Sequence, residues 1–230
     1  MKANSKMRIS DLERGILGDA GDALRHPSTG GDVTPSFPIT SVLDDFNRGA
    51  EGPPPSASWT KTWTEQYSLK VNATQQCIGS GNGWSECYWN VASFTNLECY
   101  ITMVTKGLGD NILGVYANTT ACVGGTWAVQ DGYAVEISIT SGVDIIRMVR
   151  FDDSVSTVLS SVNKETASGD SIGMRIMGTE LRMYYKPSGG LWIQIGNTVF
   201  DTTYTGTKYI GFGVGTGNIG VFDNFGGGTL

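Results

Sequence analysis

At 230 residues and 24.6 kDa the chain is long enough for one large β-domain, or for one domain with an extension. It is 40% hydrophobic with a mean hydropathy of −0.11, which excludes wholesale disorder, and no run of about 18 apolar residues marks a membrane span. A net charge of −6 argues against nucleic acid as the main ligand, and the single histidine, His26, removes most histidine-based catalysis and most zinc sites.

The chain divides near residue 40. Residues 1–40 form a neutral arm, so the whole negative charge belongs to residues 41–230. Met1–Met7 carries two lysines, but no apolar stretch follows as a standard secretory leader requires, so none is expected. Ser10 and Glu13 make a capping box. Behind it Ile9, Leu12, Ile16, Leu17, Ala20 and Leu24 fall at helical spacing and form one apolar stripe. Gly15, Gly18 and Gly21 each cost about 1 kcal/mol relative to alanine, so the helix is weak alone and needs a surface to lie on. Ile9, Leu12, Ile16, Leu17 and Leu24 are therefore the expected anchor. A His-Pro-Ser-Thr-Gly-Gly stretch with Pro35 and Pro38 reads as an extended tether.

From Asp44 the hydrophobic period changes from 3.6 to 2. Trp63, Tyr67, Leu69 and Val71 alternate, as do Leu97, Cys99, Ile101 and Met103. Over Gly132–Thr140, Tyr133, Val135, Ile137 and Ile139 face one way and polar residues mostly the other. Strands are expected at Val143–Phe151, Ser171–Met177, Thr179–Lys186, Leu191–Ile195, Tyr209–Gly215 and Ile219–Phe225, with a turn at Lys186–Gly190. With 32 glycines to make turns, this predicts an all-β chain: an antiparallel two-sheet jelly-roll sandwich at 41–230, preceded by the arm and its short helix. Cys77, Cys87, Cys99 and Cys122 fit no metal spacing. They are either small apolar core residues or one or two disulfides, with Cys77–Cys87 closing a glycine-rich hairpin.

Leu43-Asp-Asp-Phe-Asn-Arg48 with Ser58-Trp59-Thr60, and the closing Phe200–Tyr204, Gly211–Val214 and Val221-Phe-Asp-Asn-Phe225, resemble the ends of concanavalin A-like lectin/glucanase (laminin G-like) domains. The resemblance covers about residues 41–228. It implies that the first and last strands are neighbours, with Phe46 near Phe225. Domains with this opening and ending are similar to those of bacteriophage virion proteins and bacterial surface proteins. The fold hosts lectins, glycosidases, lyases and inert modules, so function has to come from sites.

The glucanases of this fold carry a Glu-x-Asp-x-x-Glu strand, and no such spacing occurs: Glu136 is followed by Ser138 and Thr140, Glu98 by Tyr100 and Thr102. No catalytic residue is expected, although lyase chemistry using tyrosine with arginine or lysine is not excluded by inspection. For carbohydrate, Trp84, Glu86, Tyr88, Trp127 and Asp131 place rings beside carboxylates and amides, the chemistry that stacks on a sugar face and bonds its rim. The alternative for Trp84 and Trp127 is a cover for sheet ends or subunit contacts. Asp44, Asp45 and Asp223 could meet at paired terminal strands and hold Ca2+, or cap turns in solvent. Asn72-Ala-Thr and Asn118-Thr-Thr are glycosylation sequons by pattern only.

The expectation drawn from the resemblance and the arm is a non-enzymatic bacteriophage virion protein, of the capsid-decoration or head-fibre type, assembled in the host cytoplasm. Its partners would be other virion proteins and its own copies, a trimer being one form, with no membrane and no nucleic acid. The alternative is a carbohydrate-binding or glycan-degrading module of a phage tail or bacterial surface protein, whose partner is a host-surface glycan.

Overall fold

The computed structural model describes residues 36–62, 67–107, 109–116, 131–139, 142–153, 155–215 and 220–230. The predicted arm helix and its anchor residues lie outside that set, as do His26, Trp63, Asn118 and Cys122. The sandwich unit begins at Phe37, so residues 37–40, placed above with the tether, belong to it.

All the regular elements among the described residues are strands. In chain order they are β1 (Val42–Asp44), β2 (Trp59–Lys61), β3 (Leu69–Val71), β4 (Cys77–Gly79) and β5 (Ser85–Trp89). Then come β6 (Leu97–Thr105), β7 (Asn111–Tyr116), β8 (Gly132–Ser138), β9 (Ile145–Asp152) and β10 (Val155–Asn163). The last five are β11 (Ser171–Met177), β12 (Glu180–Lys186), β13 (Ile193–Phe200), β14 (Tyr209–Val214) and β15 (Val221–Thr229). One sheet runs β13-β12-β11-β6-β15-β4-β3, with β1 also on β15; the other runs β10-β9-β8-β7-β14-β5-β2. The pairings between these strands are all antiparallel, and one isolated bridge, Tyr67 to Ser85, is parallel. This is the expected two-sheet sandwich.

Alternation fixes which side chains meet between the sheets. Tyr133, Val135 and Ile137 of β8 and Leu97, Cys99, Ile101 and Met103 of β6 all point into one buried cluster. At its end Trp59 lies 4.9 Å from Phe225, 5.7 Å from Phe212 and 5.9 Å from Phe46, ring centre to ring centre. The first strand does lie beside the last: β1 pairs with β15, Val42 opposite Gly226. Cys77 and Cys87 sit on opposite sheets, and both are free and buried with Cys99, so the small apolar reading holds and the Cys77–Cys87 hairpin bridge does not form. Burial raises the thiol pKa of each, which keeps them protonated and unreactive.

Residues 37–41 cross the outer face of the β6-β11-β12 region as a strap. Phe37 stacks on Tyr184 at 3.9 Å and lies over Gly173, where a Cβ would come within 2.3 Å of its ring. Glu98 Oε1 accepts the Ile39 and Thr40 amides at 2.5 and 2.6 Å. Its other oxygen accepts from Arg175 Nη2 at 2.6 Å, and both side chains are almost fully buried. The Arg175 guanidinium lies 5.3 Å from the Phe37 ring centre, so the ion pair and the aromatic stack share one cation.

Candidate functional site

The Asp-Asp-Phe-Asn-Arg segment follows β1 and divides its two carboxylates between two jobs. Asp44 Oδ1 accepts from the Phe46 amide at 2.8 Å and from Arg48 Nη1 at 2.6 Å. Oδ2 accepts from Arg48 Nη2 at 3.0 Å and from the Trp59 indole at 2.8 Å. Arg48 continues to Glu51 and to the Pro55 carbonyl, tying the loop to β2. Hydrogen bonding to Asp44 outweighs partial burial and raises the Arg48 pKa above its ordinary range. Asp44 is thus a saturated structural latch.

Asp45, one residue on, is exposed and accepts only a turn bond from Asn47 at 3.1 Å among its side-chain contacts. Across from it β15 bulges: its register slips between Asp223 and Gly226, and Asn224 adopts a left-handed backbone with φ 52°. Asparagine tolerates that conformation, and the bulge turns its amide outward.

Two clefts meet there. One, of about 640 Å3, is lined by Val42, Leu43, Asp44, Asp45, Arg48, Glu51, Ser56, Ser58, Trp89 and Asn224. The other, of about 250 Å3, is lined by Asp45, Asn47, Thr74, Gln75, Gln76, Asp223 and Asn224. Sharing Asp45 and Asn224, they form one groove over the bulge, with the half-buried indole of Trp89 at one end and amides and a hydroxyl at the other. Trp89 is held edge-on against Trp59 at 5.5 Å, so its orientation is set by the core. The Asp223 carboxyl pKa is raised, first by burial and then by the charges of Asp45 and Asp44.

Of the two readings given above for the three aspartates, turn capping is the one their contacts show. Asp44 has spent both oxygens, and Asp45 and Asp223 each cap a neighbouring amide. Among the described residues no three His, Cys, Asp or Glu side chains gather as a metal would need.

The residues proposed above for carbohydrate fall in two places. Trp84, Glu86 and Tyr88 share the outer face of the second sheet through β5. Trp84 donates its indole proton to Glu86 at 2.9 Å, and Tyr88 meets Tyr209 edge-on at 5.3 Å. A Cβ on Gly213 would come within about 3 Å of Glu86 and Trp84, so glycine there seats the pair. Glu86 is 1% and Tyr88 7% exposed, which leaves Trp84 as the accessible ring. Asp131 lies apart at the start of β8, accepting from the Asp153 amide and the Tyr204 hydroxyl. Trp127 lies outside the described residues. Trp89 ends the same aromatic stretch in the sequence that supplied Trp84 and Tyr88, whereas Ser56, Ser58, Thr74, Gln75, Gln76 and Asn224 were missed; the consecutive Asp223-Asn224 before Phe225, which breaks strand alternation, was the available signal.

Asp131 borders a tyrosine–arginine network that bears on lyase chemistry. Tyr133 donates to Asp201 at 2.8 Å, Tyr204 to Asp152 at 2.7 Å, and Arg150 bonds both aspartates. Burial, and then these carboxylates, raise both phenol pKa values well above the ordinary range. Phenols so held are donors, the reverse of what a proton-abstracting base needs.

No family model matches the sequence, and no curated protein matches it. Solved structures do match. Lectin II from Ulex europaeus aligns with a TM-score of 0.55 at 11% identity, over 75% of this chain and 92% of its own. The VIP36 exoplasmic/lumenal domain in its Ca2+/Man2-bound form gives 0.53 at 14% identity, over 83% and 87%. Xylan β-1,4-xylosidase from Bacillus halodurans C-125 gives 0.54 at 14% identity, over 80% of this chain and 38% of its own. At such identities the likeness establishes the fold, which is concanavalin A-like, of the legume-lectin kind.

Proposed function

We propose that this chain is a non-catalytic carbohydrate-binding module and that the groove over the β15 bulge is its site. One observation carries the reading: an open groove lined by a partly exposed indole, four carboxylates, side-chain amides and hydroxyls. Sugars present apolar C–H faces ringed by hydroxyls, and this mixture complements both. Names among the structural relatives, a lectin and a Man2-bound domain, support the same reading. Against catalysis, the phenol protons of Tyr133 and Tyr204 are already given to Asp201 and Asp152, and both carboxylates are also bonded to Arg150, so the network is closed on itself.

The setting we propose is the surface of a phage tail or of a bacterium, with residues 1–36 as attachment. The virion-decoration role expected above rests on the resemblance of the opening and closing motifs, and the groove favours glycan recognition as the activity.

The test is retention of the full-length chain on a broad glycan panel, with an Asp45→Ala/Asn224→Gly variant beside it. Both positions are exposed, so the unfolding midpoint should hold while affinity for the retained glycan falls at least about tenfold. No retained glycan would sink the reading. Loss with Trp84→Ala and not with the groove variant would move the site to the outer face of the second sheet.

A further inference from the structure

The groove is unevenly charged, and the imbalance bears on its ligand. Its two clefts are lined by the carboxylates of Asp44, Asp45, Glu51 and Asp223, with Arg48 as the cation among them and no lysine. Arg48 is already committed: four of its five N–H donors go to Asp44, Glu51 and the Pro55 carbonyl. Asp45 and Asp223 have no ion pair among the described residues, and each accepts one neighbouring backbone amide. The two also feel each other, since the Asp45 charge is among the influences that raise the Asp223 carboxyl pKa after burial. Folding thus sets two like charges along one groove with no cation opposite them, and a bound cation would relieve that repulsion. Asp45 belongs to both clefts, Asp223 to one and the Trp89 indole to the other.

We propose that the groove selects glycans bearing free amino groups, such as de-N-acetylated hexosamine oligomers, over their N-acetylated and acidic counterparts. This rests on the reading of the groove as the carbohydrate site and adds the class of sugar it takes. A protonated amino sugar carries an ammonium group on a ring with an apolar C–H face. The ammonium pairs with Asp45 and Asp223, while the ring face lies on the Trp89 indole, whose π face also attracts a cation within about 6 Å. Ser56, Ser58, Gln75 and Gln76 are there for the remaining hydroxyls. A uronic acid or sulfated sugar would set a further negative charge against the two carboxylates, and like charge rejects it. An N-acetyl group removes the cation, so the carboxylates would lose water without gaining a partner. A basic peptide offers the same cation, but the hydroxyls and side-chain amides around the indole match a ring with several hydroxyls.

The experiment is calorimetric titration of the full-length chain at pH 6, in low and high salt. The probes are glucosamine oligomers of several linkages, their N-acetylated twins, neutral glucose oligomers, a galacturonate oligomer and an oligolysine of equal charge. A glucosamine oligomer should bind at least about tenfold more tightly than its acetylated twin, and salt should shrink that ratio, because partly exposed ion pairs are screened. Asp45→Asn and Asp223→Asn should each cut the ratio about threefold, and both keep an oxygen to cap the neighbouring amide. Asp153→Asn removes an equal charge from the exposed turn between β9 and β10 and should leave the ratio unchanged. Equal binding of the acetylated or galacturonate oligomer overturns the proposal. So does a ratio that Asp153→Asn erodes as far as Asp45→Asn does, which would make it an effect of net charge. Oligolysine binding as tightly as the sugar overturns it as well, by making the groove a peptide site. If a neutral oligomer binds through Asp45 and Asn224 and no amine-bearing one does, the proposal falls and the groove reading stands; if no sugar binds, both fall.

Discussion

Two regions of this molecule use carboxylates in opposite ways. Under the strap and in the Asp44 latch, Glu98 and Asp44 are buried, and each oxygen has a partner. Across the β15 bulge, Asp45 and Asp223 stand partly or fully in solvent with one neighbouring amide each. Asp44 and Asp45 are consecutive, so composition does not distinguish them; position does, because Asp44 ends β1 within reach of Arg48 and the Trp59 indole, and Asp45 lies just past the strand in solvent. A saturated carboxylate holds structure together, and an unsaturated one in a cleft remains available to a ligand.

The sharpest way to break that contrast is Glu98→Ala. It leaves Arg175 buried without its counter-charge and frees the Ile39 and Thr40 amides, so a loss of about 3–5 kcal/mol is expected. Urea unfolding measures the loss, and hydrogen exchange should show the strap amides opening first. A loss under about 1 kcal/mol would mean that the strap is held by Phe37 alone.

Asp201 gives a second, smaller handle, through pH. Burial by itself would raise its pKa, but hydrogen bonds from the Thr203 amide and hydroxyl, Tyr133 and Arg150 outweigh burial and hold it at about 2. The unfolded value is about 3.9, so the folded state is the stronger acid. Its contribution, about 2 kcal/mol, is present in full above pH 5 and is lost as pH falls from there toward 2. Stability measured from pH 7 to 2 should fall less steeply in Asp201→Asn than in the native chain. Parallel curves would remove Asp201 from the set of saturated carboxylates.

How much of this was legible in the sequence follows the same division. The alternation of Tyr133, Val135 and Ile137, or of Leu97 through Met103, announces a face buried between sheets, and those strands form where expected. β10 was missed because Val155–Asn163 has no consistently buried face; an edge strand needs none. β5 was missed because Ser85 and Glu86, polar in sequence, are buried by the sheet packed around them. The strap was read as tether because Phe37 gains its meaning only from Gly173 and Tyr184, well over a hundred residues downstream. Asp45 and Asp223 were singled out by charge, but the bulge that sets Asn224 beside them depends on the pairing of β15 with β6 and β1, which no local pattern encodes.

The smallest expected effect tests the groove directly. If Asp45 and Asp223 share it, removing the Asp45 charge by Asp45→Asn should lower the Asp223 pKa, because that charge is among the influences that raise it after burial. Burial stays the same, so the value should remain above that of a free aspartate. A carboxyl-carbon NMR titration of both proteins reads this without any ligand. The sign also carries into stability: a carboxyl whose pKa is raised on folding stabilises the folded state when protonated, and that stability is lost as pH rises through the folded value. Asp45→Asn should therefore gain slightly over the native chain near neutral pH, where Asp223 is ionised, and the difference should shrink in acid. An Asp223 titration unmoved by Asp45→Asn would separate the two carboxylates and divide the groove into unconnected clefts.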